Sequence, residues 1–203
     1  MKNLKIKQAL LSVSDKRGLT ELAKYLETNG VNILSTGGTA TALKKDDIKI
    51  TDISDYAESP EMLDGRVKTL HPKIHAGILY RRNVKAHVAQ MQTMGWPGID
   101  LIVVNLYPFG EVIAKAQTTF QEALENIDIG GPTLLRAAAK NHPSVAVLST
   151  PDDYPLFIEE MEKSGGQLSA SFRLSLAQKV FALTSQYDQA IAQYLAKAKE
   201  TTC

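Results

Sequence analysis

The run Gly65-Arg66-Val67-Lys68-Thr69-Leu70-His71-Pro72 places two cations two residues apart in a segment shaped by a glycine and a proline. Side chains alternate along an extended chain, so Arg66 and Lys68 are expected to project to the same side. Arg66 can grip a phosphate with two parallel N–H donors, and Lys68 is a mobile point charge that can also give up a proton. The plainer alternative is a solvated pair of surface cations. A second candidate anion site is Thr36-Gly37-Gly38-Thr39. Two glycines let the backbone approach a ligand closely, and the free N–H groups of a helix start follow. The turn is neither GxGxxG nor a Walker A loop, so it implies neither a dinucleotide nor a triphosphate. A tight turn without a ligand fits it equally well. Ser14-Asp15-Lys16 adds a hydroxyl, backbone N–H groups and an ammonium before a helix, where N-capping is the default role of Ser and Asp.

Acid–base residues stand at other element ends. Asp128 begins a helix, where capping is again the ordinary duty. The glycines after it, Gly130 and Gly131, leave the Ile129 and Gly130 N–H groups open to an oxyanion. Tyr107 precedes Pro108 and reads either as a site residue or as an aromatic at the rim of the core. Lys140 closes a helix, where a basic residue has a ready dipole explanation. His71 and His75 are four apart, but Pro72 lies between them and no third ligand accompanies them, so hydrogen-bonded histidines are expected rather than a metal site.

These residues must be positioned by alternating strands and helices. Strands are predicted over 9–13, 31–34, 48–53, 101–104 and 145–148. Helices are predicted over 19–29, 40–44, 84–94, 119–125 and 134–140, and in a tail split by Gly165-Gly166. No period persists over 54–82, and so long a loop in a compact domain is usually functional. The pattern is that of an α/β fold with a doubly wound, mostly parallel sheet flanked by helices and a helical C-terminal appendage. In such folds ligands sit where strands end and helices begin, which is where the polar clusters fall. In the tail, Phe172, Leu176, Val180, Leu183 and Tyr187 form an apolar stripe, suited to its own sheet or to a second subunit of a homodimer.

Composition narrows the classes. The 203 residues suffice for one generous domain, and 44% hydrophobic with 22% charged residues is ordinary for a globular protein. Lys and Arg number 23 against 22 Asp and Glu, so no basic field points to nucleic acid, and a bound anion must be held locally. The single Cys203 excludes an internal disulfide framework and suits a reducing cytoplasm. Lys2, Lys5 and Lys7 interrupt the opening segment, which lacks a signal peptide's apolar run, and no run has the length of a membrane span.

Several motifs in order carry a resemblance. They are Ser12-Val13-Ser14-Asp15-Lys16, Thr36-Gly37-Gly38-Thr39-Ala40, the run from Gly65 to Pro72, His75-Ala76-Gly77-Ile78-Leu79, Asn105-Leu106-Tyr107-Pro108-Phe109, Ile127-Asp128-Ile129-Gly130-Gly131, and Leu134 to His142. Together they resemble the IMP cyclohydrolase domain of the bifunctional purine biosynthesis enzymes, with Thr36 where animal members often carry Ser and Pro132 in place of a Val-like residue. The resemblance implies a methylglyoxal-synthase-like fold in one domain over 1–203. The transformylase domain of the full-length bifunctional members has no counterpart in the sequence. It further implies ring closure of 5-formamidoimidazole-4-carboxamide ribonucleotide (FAICAR) to IMP, without metal or cofactor. Ser14, Lys16, Thr36, Gly37, Gly38, Thr39, Arg66 and Thr69 would then hold the phosphate and ribose. Lys68, Tyr107, Asp128 and Lys140 would flank the reacting groups, and the Ile129 and Gly130 N–H groups would meet a purine or oxyanion oxygen. Lys140 works with Asp128 only if the helix between them bends or stops early, since a straight one separates them by more than ~10 Å. Two rivals share the fold: a methylglyoxal synthase acting on a triose phosphate, and a non-catalytic nucleotide-binding regulatory domain. Because the motifs contain neither a metal-ligand cluster nor a dinucleotide fingerprint, turnover is expected to survive exhaustive chelation. Activity lost to a chelator and restored by a divalent ion would refute the assignment.

Overall fold

A computed structural model describes residues 3–197, so Lys2 and Cys203 lie outside the described residues. The strands are β1 (Leu4–Lys5), β2 (Gln8–Val13), β3 (Asn32–Ser35), β4 (Thr51–Asp52), β5 (Leu101–Asn105), β6 (Ala146–Leu148) and β7 (Gln167–Leu168). Five of them form one sheet in the order β4-β3-β2-β5-β6, every neighbouring pair parallel. Leu101 to Val104 and Ala146 to Leu148 are buried throughout, as continuous apolar runs in a sheet covered on both faces must be. β1 and β7 pair antiparallel as a separate ribbon.

The chain winds from β2 outward to β3 and β4, then returns past β2 to β5 and β6. The connections after β2 and β5 therefore leave in opposite directions. The carboxyl ends of the strands between them form the switch point at which doubly wound sheets have their ligand crevice. The β2–β5 register sets Val13 opposite Asn105 at its floor.

The helices are α1 (Leu19–Thr28), α2 (Gly37–Lys45), α3 (Ile53–Ala57), α4 (Pro72–Leu79), α5 (Lys85–Thr93), α6 (Phe109–Ala114), α7 (Phe120–Glu125), α8 (Gly130–Lys140), α9 (Asp153–Lys163) and α10 (Ala170–Lys197). In α1 the buried residues Leu19, Leu22, Ala23 and Leu26 are those of the apolar stripe, and Gly30 follows at φ +69° as a left-handed stop. α7 opens on a reciprocal capping box between Thr119 and Glu122.

Three expectations need correction. The strand expected over 48–53 shortens to β4, because Ile53 already belongs to α3. The segment over 54–82 is not aperiodic throughout. It holds α4, where Pro72 occupies the first turn and His71 accepts the Lys73 N–H at 3.2 Å. A proline that reads as loop punctuation is here a helix starter, its missing N–H costing nothing at that position. α6 was not anticipated either, since Phe109 seemed to close a strand-end loop.

α10 packs against α8, β6 and α6 of its own chain, burying Leu176 and Val180. Phe172 and Leu183 pack against the same core. The stripe thus covers its own domain. Arg173 is fully buried at its start and donates to the carbonyls of His142, Leu168 and Pro143. No helix among the described residues is long and apolar enough to cross a membrane.

One side chain fixes α2 to the sheet. Buried Thr39 accepts the Val13 N–H at 2.9 Å and donates to the Val13 carbonyl at 3.0 Å, tying the end of β2 to the first turn of α2. Thr39→Val should destabilise the fold by about 2 kcal/mol, since it strands buried backbone groups, while Thr39→Ser keeps most of the stability. Urea midpoints of the two variants check this; equal losses would mean that the hydroxyl contributes little.

Candidate active site

The crevice is built outward from Asn105, the last residue of β5. Its Oδ1 accepts the Ser14 and Asp15 N–H groups at 2.7 and 2.9 Å, and its Nδ2 donates to the Asp15 carbonyl at 2.9 Å. One amide thereby holds the loop after β2 in a single shape. That loop sends Lys16 toward the start of α2, where its Nζ also donates to the Ser14 carbonyl at 3.4 Å. A β-carbon built on Gly38 would stand 4.0 Å from this ammonium.

α2 begins directly after β3, with Thr36 extended at the cap position and without a side-chain cap bond. Gly37 takes φ +54°, which glycine adopts without strain. A β-carbon on Gly37 would lie 3.1 Å from the Lys68 Nζ. Two ammonium groups therefore converge on the first turn of a helix whose N–H groups already favour negative charge. The Thr36 hydroxyl is buried and donates to Glu61 Oε1 at 3.3 Å.

Lys68 reaches this point from a loop over 58–71. Leu63, Asp64 and Gly65 all have positive φ there, and a bridge joins Met62 to Val67. On its other side Lys68 acts electrostatically on Asp128. Asp128 is half-buried, and its Oδ1 accepts the Gly131 N–H at 2.9 Å. Burial pushes its carboxyl above the ordinary value, against the pull of the Gly131 N–H, the Lys68 ammonium and the Gly130 N–H. Buried Thr69 closes the floor, its hydroxyl so near Gly130 that a β-carbon there would be 2.8 Å away. The same segment steadies His75, whose imidazole interacts with the Thr69 backbone while burial lowers its pKa.

The structure gathers Ser14, Lys16, Thr36, Gly37, Gly38, Lys68, Thr69, Asp128 and Gly130 around this crevice, with four adjustments to the expected roles. The Thr39 hydroxyl is spent on Val13, leaving only its backbone for a ligand. A single Arg66 guanidinium nitrogen, Nη2, meets both Glu125 carboxylate oxygens, so the side chain is already paired with a carboxylate. The Asp128 carboxylate accepts the Gly131 N–H in the first turn of α8 and draws on the Gly130 N–H, which with that of Ile129 was expected to stay open to an oxyanion. Lys140 closes α8, which runs unbroken from Gly130, so the two ends lie about 15 Å apart at 1.5 Å per residue and Lys140 does not join Asp128. Tyr107 and Ile129 are exposed at the rim, at 55% and 59%. His71 accepts the Lys73 N–H as a hydrogen-bonded histidine would, whereas the His75 ring meets the Thr69 backbone and its buried Nε2 has no hydrogen-bond partner among the described residues.

Sequence reasoning passed over two residues. Asn105 stood within a quoted motif without a role; a side-chain amide at the end of a buried strand, able both to donate and to accept, was the available signal. Tyr187 was counted only as part of an apolar stripe, yet its hydroxyl oxygen accepts the Asp128 N–H at 2.8 Å.

Comparison with known proteins agrees with this architecture. Residues 18–133, more than half of the chain, match the model of the MGS-like domain. The chain belongs to this family. Residues 138–203 match the AICARFT/IMPCHase bienzyme family. The chain is 58% identical over 190 residues to the bifunctional purine biosynthesis protein PurH of Acidithiobacillus ferrooxidans, covering 94% of this chain and 36% of that protein. It thus spans about a third of that relative's length. The crystal structure of ForH superposes with a TM-score of 0.85 at 37% identity, covering 94% of this chain and 97% of that one.

A carboxyl raised by burial has a consequence for stability. Between the ordinary carboxylate range and the raised value, the folded chain keeps a proton that the unfolded chain releases. Stability therefore falls as pH rises through that window, and at neutral pH ionised Asp128 costs stability. Asp128→Asn, which retains an acceptor for Gly131, should accordingly be more stable than the parent at pH 7. The gain should vanish near about pH 3, where both side chains are uncharged. Urea midpoints at the two pH values test it; a gain that persists unchanged in acid would assign it to packing instead.

Proposed function

We propose that this chain is an IMP cyclohydrolase, converting FAICAR to IMP with release of water, and that its full-length protein carries a transformylase activity like that of its bifunctional relative. The observation that carries the reading is the position of Lys68. One ammonium lies against a helix start that opens on Gly37 and Gly38 and also acts electrostatically on a half-buried carboxylate of raised basicity, at the carboxyl ends of the strands of a doubly wound sheet. An anion held at the first point leaves the rest of the same molecule beside the second.

The chemistry suits that arrangement. Nucleophile and electrophile belong to one substrate, so much of the barrier falls once the carboxamide nitrogen and formyl carbon are held in contact. The C–N bond forms as the carboxamide nitrogen loses a proton. The formyl oxygen becomes a hydroxyl, then leaves as water when the ring C=N bond forms. Asp128 receives the carboxamide proton, its raised pKa making it a better base near neutrality than an ordinary carboxylate. Lys68 steadies the charge gathering on the formyl oxygen and lies next to the departing water. Gly37, Gly38, Lys16 and Thr36 hold the 5′-phosphate side, with Ser14 and Thr69 at its edges. Arg66 reaches the phosphate by exchanging Glu125 for a doubly charged partner, which its exposed position permits. Tyr107 and Ile129 form the rim over the base.

The decisive experiment incubates the purified chain with FAICAR and follows purine absorbance. Arg66→Ala should chiefly raise KM, since phosphate is gripped in ground and transition states alike. Lys68→Met and Asp128→Asn should each lower kcat by about 10²–10⁴-fold, with IMP affinity changed far less. Tight IMP binding without turnover in the parent chain would instead favour a regulatory domain.

A further inference from the structure

The Asp128 backbone is held from far along the chain. Its N–H donates to the hydroxyl oxygen of Tyr187, a residue of α10 that lies 59 positions further along the chain, at 2.8 Å. Its carboxylate is held independently by the Gly131 N–H at 2.9 Å. The connection between α7 and α8 is residues 126–129, and no regular element holds Asp128 within it. Fastening the residue at both its amide and its side chain therefore decides where the carboxylate sits.

Tyr187 is itself fastened. Its ring meets that of buried Phe109 edge-on, with centroids 6.3 Å apart at 68°. Phe109 opens α6, four residues after the Asn105 that shapes the crevice floor. The Phe109 ring also meets Tyr194 at 5.7 Å and 88°, and Tyr194 stacks on Phe120 of α7 at 6.2 Å. Nearer its start, α10 is held by Arg173 on three backbone carbonyls and by Lys179 on Thr150 and Asp153. Burial raises the Tyr187 pKa, against the pull of the Asp128 N–H and with the help of the Asp128 and Asp188 carboxylates, and the neutral phenol oxygen is the acceptor.

We propose that Tyr187 is a positioning residue for Asp128, so that α10 belongs to the catalytic apparatus although it touches no reacting atom. The idea rests on the cyclohydrolase reading for its kinetic consequence. The MGS-like match ends at residue 133 and the bienzyme match begins at 138, so the hydroxyl that orients the base comes from outside the MGS-like part. Small displacements of a base from its line of attack cost rate rather than binding.

Tyr187→Phe removes one oxygen and keeps the ring against Phe109. The expected result is a fall in kcat of about tenfold with KM and IMP affinity unchanged, because a net hydrogen bond is typically of that order. In an Asp128→Asn background the same substitution should cost almost nothing further, as two members of one unit are non-additive. Hydrogen exchange of the Asp128 amide, read by NMR, should accelerate in Tyr187→Phe without any substrate present. An unchanged kcat, or an equal loss in both backgrounds, overturns the positioning role. A parent chain that fails to cyclise FAICAR refutes the cyclohydrolase reading instead. The exchange measurement still stands in that case, and an unaltered Asp128 amide would overturn the proposal by itself.

Discussion

Placing two ammonium groups and a poorly solvated carboxylate in one crevice is electrostatically workable only if a frame holds them, and the frame here is the parallel pairing of β2 with β5. That pairing puts Asn105 opposite Val13, and the Asn105 amide then spends a donor and both lone pairs on the loop carrying Ser14, Asp15 and Lys16. Next to it, Thr39 ties Val13 to α2, so the helix start and the loop are referred to the same strand end. A bound anion would meet groups whose ordering entropy had already been met on folding.

The electrostatics divide the crevice into two halves that share Lys68. Toward α2, positive charge accumulates at the helix start, offset by Glu61 near Thr36 and by the Asp15 carboxylate beside Lys16. Toward α8, burial acts against the ionised form of Asp128 more strongly than Lys68 and the Gly131 N–H favour it. A phosphate side wants the first environment and a base wants the second. Exposed pairs such as Arg66 with Glu125 contribute little to stability and exchange partners readily.

Much of the frame was legible because its signals are local. The buried runs over 101–104 and 145–148 and the stripe of α1 each follow from side-chain type and spacing. The boundaries that misled also have local reasons. Ile53 continues an apolar pattern that suits a strand, yet the chain turns into α3 there. Pro72 looks like a breaker but occupies the one helical turn that tolerates it.

The site was legible as a set of residue types and ordered motifs: Gly37 and Gly38 before a helix, Lys68 two residues after Arg66, and Asp128 before two glycines. The sequence by itself thus determined which groups were available and that strand ends would present them. Only the tertiary structure decided how each group is spent. The Thr39 hydroxyl is used up on Val13, one Arg66 guanidinium nitrogen on Glu125, and part of the Asp128 carboxylate on Gly131, while Lys140 is carried to the far end of an unbroken α8. Tyr187, read as one apolar residue among several, turned out to hold the Asp128 backbone. The reason is physical. Residue type and spacing govern local backbone preference, whereas hydrogen-bond partners and desolvation depend on which distant segments the sheet order brings together.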